Sequence, residues 1–140
     1  MNISEFKEMT IQKDTNTIAI DFDGVIHKSS KGFYDGTVYD KPIEDVKKGL
    51  EYLSNGYKLV IYTCKANPNR PLVNGKSGIE LIWEWLEKWE LDKFISEVTY
   101  EKPNAKYYID DKGIRFNTWN DTLKLLNILE TRDERQTHSS

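Results

Sequence analysis

The sequence predicts an α/β fold, a doubly wound, Rossmann-like and mostly parallel sheet flanked by helices. Two short β-branched apolar runs, 17–22 (TIAIDF) and 57–63 (YKLVIYT), read as buried strands. Each is followed, after a loop, by an amphipathic helical pattern. The resulting order of strand, helix, strand, helix, strand, strand, helix implies parallel strands joined by crossover helices on both faces of one sheet.

Taken in order, the first strand ends in a carboxylate, Asp21, and feeds a loop. Residues 23–41 are rich in Gly, Ser and Lys with Phe33, Tyr34 and Tyr39 interspersed, and Asp35-Gly36 is a hairpin turn signal, so a small flap is expected. Pro42 then opens a helix with Ile43, Val46, Leu50 and Leu53 at helical spacing and Asn55-Gly56 as its stop. After the second strand, 64–76 forms a Pro- and Asn-rich loop without an acidic residue. Ser77 and Glu80 make a capping box ahead of Ile79, Ile82, Trp83 and Leu86. Residues 97–100 and 106–109 read as further strands, the latter stopping at Asp110, and Thr118 with Asp121 caps a last helix through Leu129. The expected organisation is an N-terminal segment (1–16), one domain (17–130) and a polar C-terminal tail (131–140, TRDERQTHSS).

A chain of 140 residues fits one ordinary domain. Its 38% hydrophobic and 31% charged residues suit a globular protein, and no stretch approaches the roughly 20 apolar residues of a spanning helix. The first residues have no apolar core of a secretory signal, so a cytoplasmic location is expected, as either monomer or homodimer. The single cysteine, Cys64, cannot form an internal disulfide and agrees with a reducing compartment. A net charge of −3 argues against coating nucleic acid by bulk electrostatics but permits a local basic site.

Ligands of open parallel sheets bind beyond the carboxyl ends of the strands. Asp21 and Asp23 follow the first strand, Thr63 ends the second, and Asp110 with Asp111 ends a later one. Carboxylates gathered so closely resist ionising together unless a cation compensates. Oxygen ligation without a His or Cys cluster points to a hard ion, and a carboxylate set that also holds phosphate oxygens favours Mg2+.

These residues carry a resemblance. IAIDFDGV, YTCKA, Lys102-Pro103 and YYIDDK resemble, in order, the four motifs of the haloacid dehalogenase (HAD) superfamily, over about residues 17–119. The resemblance implies a two-step phosphoryl transfer in which Asp21 attacks phosphorus to give an aspartyl-phosphate that water then hydrolyses. Asp23 would act as general acid and base, a role that asks for a carboxyl pKa raised toward working pH, and its carbonyl would bind magnesium. Thr63 would donate to a phosphoryl oxygen and Lys102 would neutralise charge on Asp21 and the phosphoryl group. Asp110 would ligate magnesium directly, with Asp111, its neighbour in the metal set, orienting a metal-bound water or Lys102, and Gly24, on the substrate side, would let the chain turn sharply after the catalytic loop. With no insertion large enough for a cap domain, the chain looks like a small capless phosphatase-type member, covered only by the flap.

Lys65, Arg70 and Lys76 in the acid-free loop, with Lys28 and Lys31 in the flap, suit a phosphate-rich ligand; Lys65 and Arg70 are therefore candidate substrate contacts. The expected substrate is a phosphomonoester, with nucleotide or polynucleotide 3′-phosphates as the leading class. The alternatives are a phosphate- or nucleotide-binding module without turnover, or another HAD phosphotransfer activity. Other features have plainer readings. Asn74-Gly75-Lys76-Ser77 lacks the first glycine of a P-loop, since Arg70 stands there, and reads as a turn before a helix cap. Trp83, Trp85 and Trp89 crowd one helix and are expected in core or dimer packing, with Trp85 and Trp89 together roughly opposite the Ile79 and Ile82 stripe, where the alternative is an exposed patch for a protein contact; His27 is expected as a solvated flap residue and Cys64 as a packed small residue.

Overall fold

The computed structural model describes residues 16–110 and 114–139. In chain order its regular elements are β1 (Thr17–Asp21), α1 (Val46–Ser54), β2 (Lys58–Tyr62), α2 (Gly78–Lys88), β3 (Glu97–Thr99), β4 (Tyr107–Asp110), β5 (Ile114–Arg115) and α3 (Trp119–Ser139). Short 3-10 turns at Cys64–Ala66 and Asp92–Phe94 complete them. Every strand pairing is parallel, and the sheet order is β3-β2-β1-β4-β5. The chain thus builds outward from β1 to β3, then returns to the other side of β1 for β4 and β5. This is the α/β class expected, a parallel sheet with three α-helices. β5 has no counterpart in the sequence reading, because two residues cannot display a strand period.

β1 is the central strand, and its residues from Thr17 to Ile20 are all buried, as an apolar run covered on both faces requires. Ile18, Ile20, Leu59, Ile61 and Ile109 form one continuous core with Leu50 of α1, Leu86 of α2 and Trp119 of α3. Trp85 joins that core at 5% exposure, which agrees with core packing and corrects its placement opposite the Ile82 stripe. It lies three residues after Ile82 and beside Leu86, so all three share one helical face.

Three boundaries differ from the sequence reading. α1 begins at Val46 and not at Pro42, because Pro42 bridges to His27, Ile43 N–H donates to Ile26 O at 2.9 Å, and Asp45 adopts a left-handed φ of 66°. Residues 28–41 contain no strand, so the turn closed by Gly36 N–H to Phe33 O (2.9 Å) is not a hairpin; Asp35 Oδ1 accepts Thr37 N–H (3.0 Å) and shapes it locally. The polar tail is helical as far as Ser139. Glu130 accepts hydrogen bonds from Tyr57, from Tyr107 (3.2 Å) and from Lys106 (3.2 Å), which anchors the helix where it was expected to fray, and no Gly or Pro follows to stop it. The capping box of α2 forms as read, with Ser77 Oγ accepting Glu80 N–H at 3.2 Å. Among the described residues no helix is long and apolar enough to cross a membrane. The N-terminal segment lies outside the described residues except for Asn16.

Helices α1 and α3 meet at Gly49, where a Cβ would stand 2.4 Å from the Trp119 ring. Trp119 is fully buried and its indole N–H donates to Val25 O at 3.1 Å, so it has little room to move. Gly49→Ala is expected to destabilise the fold by about 1–3 kcal/mol through overpacking. Urea unfolding measures this directly, and an unchanged midpoint would contradict the packing described.

Candidate active site

All strands being parallel, their carboxyl ends share one edge of the sheet, and this edge collects the candidate residues. Asp21 ends β1 and is paired in register with Tyr62 at the end of β2. Ile20 pairs with Ile109, so Asp110 follows on β4 as the next neighbour of Asp21. Side chains in register across parallel strands point to the same face, with strands about 4.8 Å apart. Asp21 therefore stands between Tyr62 and Asp110. The Tyr62 hydroxyl donates to Asp110 Oδ2, spanning the end of β1. Asp21 Oδ1 accepts the N–H of Phe22 at 2.7 Å.

Asp23 is the node of the loop that follows. Its Oδ1 receives the Lys65 ammonium at 2.8 Å and His27 Nδ1 at 2.9 Å. Both partners are fully buried, whereas the Asp23 side chain is 22% exposed. Burial pushes the Asp23 carboxyl up, but the hydrogen bonds from His27 and Lys65, with the charge of Lys65, outweigh it and hold the pKa below the ordinary 3.8. The raised pKa expected for a general acid is thus not found in the ligand-free protein, because two donors converge on one carboxylate oxygen.

His27 is correspondingly not a solvated flap residue. Its ring stacks on Phe22 (5.4 Å, 9° between planes) and meets the edges or faces of Tyr39 and Trp85 at right angles. Nε2 accepts the N–H of Asp40 at 2.9 Å. Asp40 in turn ties down residues 28–41: its carboxylate accepts Ser30 Oγ–H (2.5 Å) and N–H (3.0 Å) and Lys41 N–H (2.8 Å), and its carbonyl accepts the Trp85 indole N–H (2.7 Å). Those hydrogen bonds, Ser30 first, hold the Asp40 carboxyl well below the usual carboxylate range. Gly24 turns the chain at φ 83° and donates its N–H to His27 O at 2.8 Å. A cleft of about 700 Å³ opens beside it, lined by Lys28, Lys41, Ile43, Phe116 and Trp119 among others.

The loop after β2 brings the next residues. Thr63 is 5% exposed, and its Oγ1 accepts Lys65 N–H at 3.2 Å. The loop is pressed onto the start of α2, where a Cβ on Gly78 would stand 1.7 Å from the Lys65 carbonyl oxygen, so only glycine fits. Lys65 lies inside the protein rather than on an open basic wall, 5.7 Å from the ring centroids of both Phe33 and Tyr39. Arg70 lies 4.6 Å over Phe33 and donates to Gly36 O at 3.4 Å, joining this loop to residues 28–41. Cys64 is exposed, not packed. Lys76 pairs with Glu84 at 2.5 Å.

On the other side of β1, Lys102 Nζ stands 3.8 Å from Asp110 Oδ2 and 4.5 Å over the Tyr108 ring. The Tyr108 hydroxyl donates to Pro103 O (2.6 Å) and accepts Ala105 N–H (3.1 Å), which fixes the loop carrying Lys102. Sequence reasoning missed Tyr62 and Tyr108; the strands YKLVIYT and YYID carry them on the face of Asp21 and Asp110, and a period-2 count along each strand finds them. Asp111 lies outside the described residues.

Among the described residues no group of three or more His, Cys, Asp or Glu side chains is arranged to hold a metal ion. Asp21 and Asp110 remain as two carboxylates at adjacent strand ends, with Asp110 95% buried. Magnesium is bound by one or two carboxylates with the rest of its shell from water and phosphate, so this donor set fits it in chemistry and number. Oδ1 of Asp23 is committed to Lys65 and His27, and its main-chain carbonyl is the contribution that the resemblance assigns to it. Comparison with protein-family models, curated proteins and solved structures finds no match to this chain.

Lys65→Met keeps the buried stem and removes the ammonium. The expected loss at neutral pH is about 2 kcal/mol, the scale of a hydrogen bond to a charged group. Because the folded pKa of Asp23 is depressed, stability from this contact is fully present above 3.8 and is lost as pH falls through the folded value. As the pH falls below 3.8 the gap between the two proteins in urea melts is therefore expected to close and then reverse, since wild type is left with a buried ammonium beside a neutral carboxyl. A gap of the same size at neutral and acid pH would contradict the ion pair.

Proposed function

We propose that the chain is a haloacid dehalogenase-type phosphatase, hydrolysing phosphomonoesters with magnesium through an aspartyl-phosphate on Asp21. The observation that carries the reading is the meeting of Asp21, Asp110 and Lys102 at the carboxyl edge of β1 and β4, with Asp23 and Thr63 each just beyond a strand end. The strand order reverses between β1 and β4, which is where such sheets bind ligands. On this reading the sheet is doubly wound and residues 28–41 are the flap that stands in place of a cap domain. The exposed free thiol of Cys64 suits a reducing cytoplasm.

Asp21 and Asp110 would hold the magnesium ion with the Asp23 carbonyl, and Asp111 would complete or orient the set. When bound, the ion neutralises phosphoryl oxygens and the carboxylates that face them. The Asp21 carboxylate attacks phosphorus. Asp23 gives a proton to the leaving oxygen and later takes one from the attacking water. Thr63 already accepts Lys65 N–H, and its hydroxyl donates to a phosphoryl oxygen. Lys102, half-exposed beside Asp110, neutralises the charge that develops. Asp23 takes up the proton it must deliver against the hold of Lys65 and His27, both of them fully buried.

Nucleotide or polynucleotide 3′-phosphates remain the leading substrate class. Phe33 and Tyr34 are 42% and 63% exposed, with Arg70 and Lys31 lying over them at 4.6 and 4.8 Å. Aromatic faces beside cations suit bases and their phosphates. The second reading, a phosphate-binding module without turnover, draws on one observation: His27 and Lys65 converge on one oxygen of Asp23 and hold its pKa below the ordinary value, against the protonation a general acid needs.

Phosphate release from sugar phosphates, nucleotides and 3′-phosphorylated oligonucleotides, with magnesium or chelator, decides between them. Hydrolysis is expected to require magnesium, to fall to background in Asp21→Asn, and to fall by about 10²–10⁴-fold in Asp23→Asn. Tight binding of phosphate analogues with no release from any substrate would favour the binding module.

A further inference from the structure

We infer that His27 is a positioning residue that presents one oxygen of Asp23 to the reacting group and ties that presentation to the seating of residues 28–41. This deepens the phosphatase reading and rests on it for its catalytic consequence.

The tautomer of His27 follows from its partners. Nε2 accepts the main-chain N–H of Asp40 at 2.9 Å and therefore carries no hydrogen. The ring proton is on Nδ1, which donates to Asp23 Oδ1 at 2.9 Å. The ring is stacked on Phe22 and packed at right angles to Tyr39 and Trp85, and the residue is wholly buried, which leaves it little freedom to rotate. An imidazole with both nitrogens engaged and no access to water orients its neighbour instead of shuttling protons.

The geometry at Asp23 says which oxygen it orients. Lys65 Nζ (2.8 Å) and His27 Nδ1 both bind Oδ1. Two donors on one oxygen fix the carboxylate plane and leave Oδ2 as the oxygen from which a proton is exchanged with leaving group and water. The link to residues 28–41 runs through Asp40. Its N–H holds Nε2, its carboxylate gathers Ser30 and Lys41, and its carbonyl takes the indole of Trp85. Displacing that segment would release the imidazole and leave Lys65 as the one donor of the pair still on Asp23 Oδ1.

The test uses two variants of the full chain. His27→Phe keeps an aromatic ring for Phe22 and Trp85 but has neither nitrogen; His27→Asn keeps an N–H near the place of Nδ1. Circular dichroism and melting confirm that each folds. kcat and KM are measured with an alkyl phosphate and with p-nitrophenyl phosphate, whose leaving group needs no proton. A misplaced general acid is expected to lower kcat/KM of His27→Phe, which reports the step in which the leaving group departs, by about 10–100-fold on the alkyl ester, with a much smaller loss on the nitrophenyl ester and partial recovery in His27→Asn. Equal losses of kcat/KM on both esters, or unchanged kcat/KM, would overturn the inference. If wild type hydrolyses nothing, the phosphatase reading fails, and the inference is then read from nitrogen-15 NMR of the wild-type imidazole. An Nδ1–H tautomer that is lost in Asp23→Ala supports the clamp; an Nε2–H tautomer, or a signal indifferent to Asp23, overturns it.

Discussion

A buried ammonium and a buried imidazole share one oxygen of Asp23, and the rest of the site is arranged around that contact. Burying Lys65 without a partner would cost several kcal/mol, so its side chain can enter the protein only where a carboxylate waits. Asp23 is that carboxylate, presented by the loop leaving the central strand. The loop after β2 is drawn toward β1 as a result, and Gly78 lets it lie directly on α2. From the opposite direction His27 takes the N–H of Asp40 and so fastens residues 28–41 over the same point. Separate stretches of chain with no sheet pairing between them are thereby gathered at the end of β1.

The sheet supplies the second half of the arrangement. Parallel pairing places Asp21, Tyr62 and Asp110 on one face at one edge, and it does so for any chain whose strands end in step. Tyr62 reaching to Asp110 and Tyr108 bracing the Lys102 loop add the lateral support that a buried carboxylate requires. The two halves differ in kind. Backbone register positions Asp21 and Asp110, whereas side-chain ionic contacts position Asp23, which on the proposed reading is the residue that must change its protonation. On the proposed reading a pair set by the sheet would face metal and phosphoryl group, beside a carboxylate oriented by two buried donors.

How far the sequence discloses this depends on the range of the interactions. The strand at 17–22 and the capping box at Ser77 are local patterns, and both are legible. So is the clustering of Asp21, Thr63 and Asp110 at one edge, which needs only strand ends and parallel order. The burial of His27 is not legible, since Phe22, Tyr39, Asp40 and Trp85 come to it from different parts of the chain. Lys65 looks like a solvated loop lysine for the same reason. The helical tail was hidden because its anchor, Glu130, pairs with Tyr57 and Lys106, far away in sequence. Trp85 is a different case. The i, i+3, i+4 relation with Ile82 and Leu86 was available in the sequence and places it on the buried face.

The central claim is that Asp21 is the residue to which phosphorus is joined. Fluorine-19 NMR with beryllofluoride and magnesium tests it without knowledge of the substrate, because the analogue forms on the carboxylate that would carry the phosphoryl group. The account predicts bound fluorine resonances that require magnesium and vanish in Asp21→Asn. Bound resonances that persist in Asp21→Asn, or none in the wild-type protein, would contradict it.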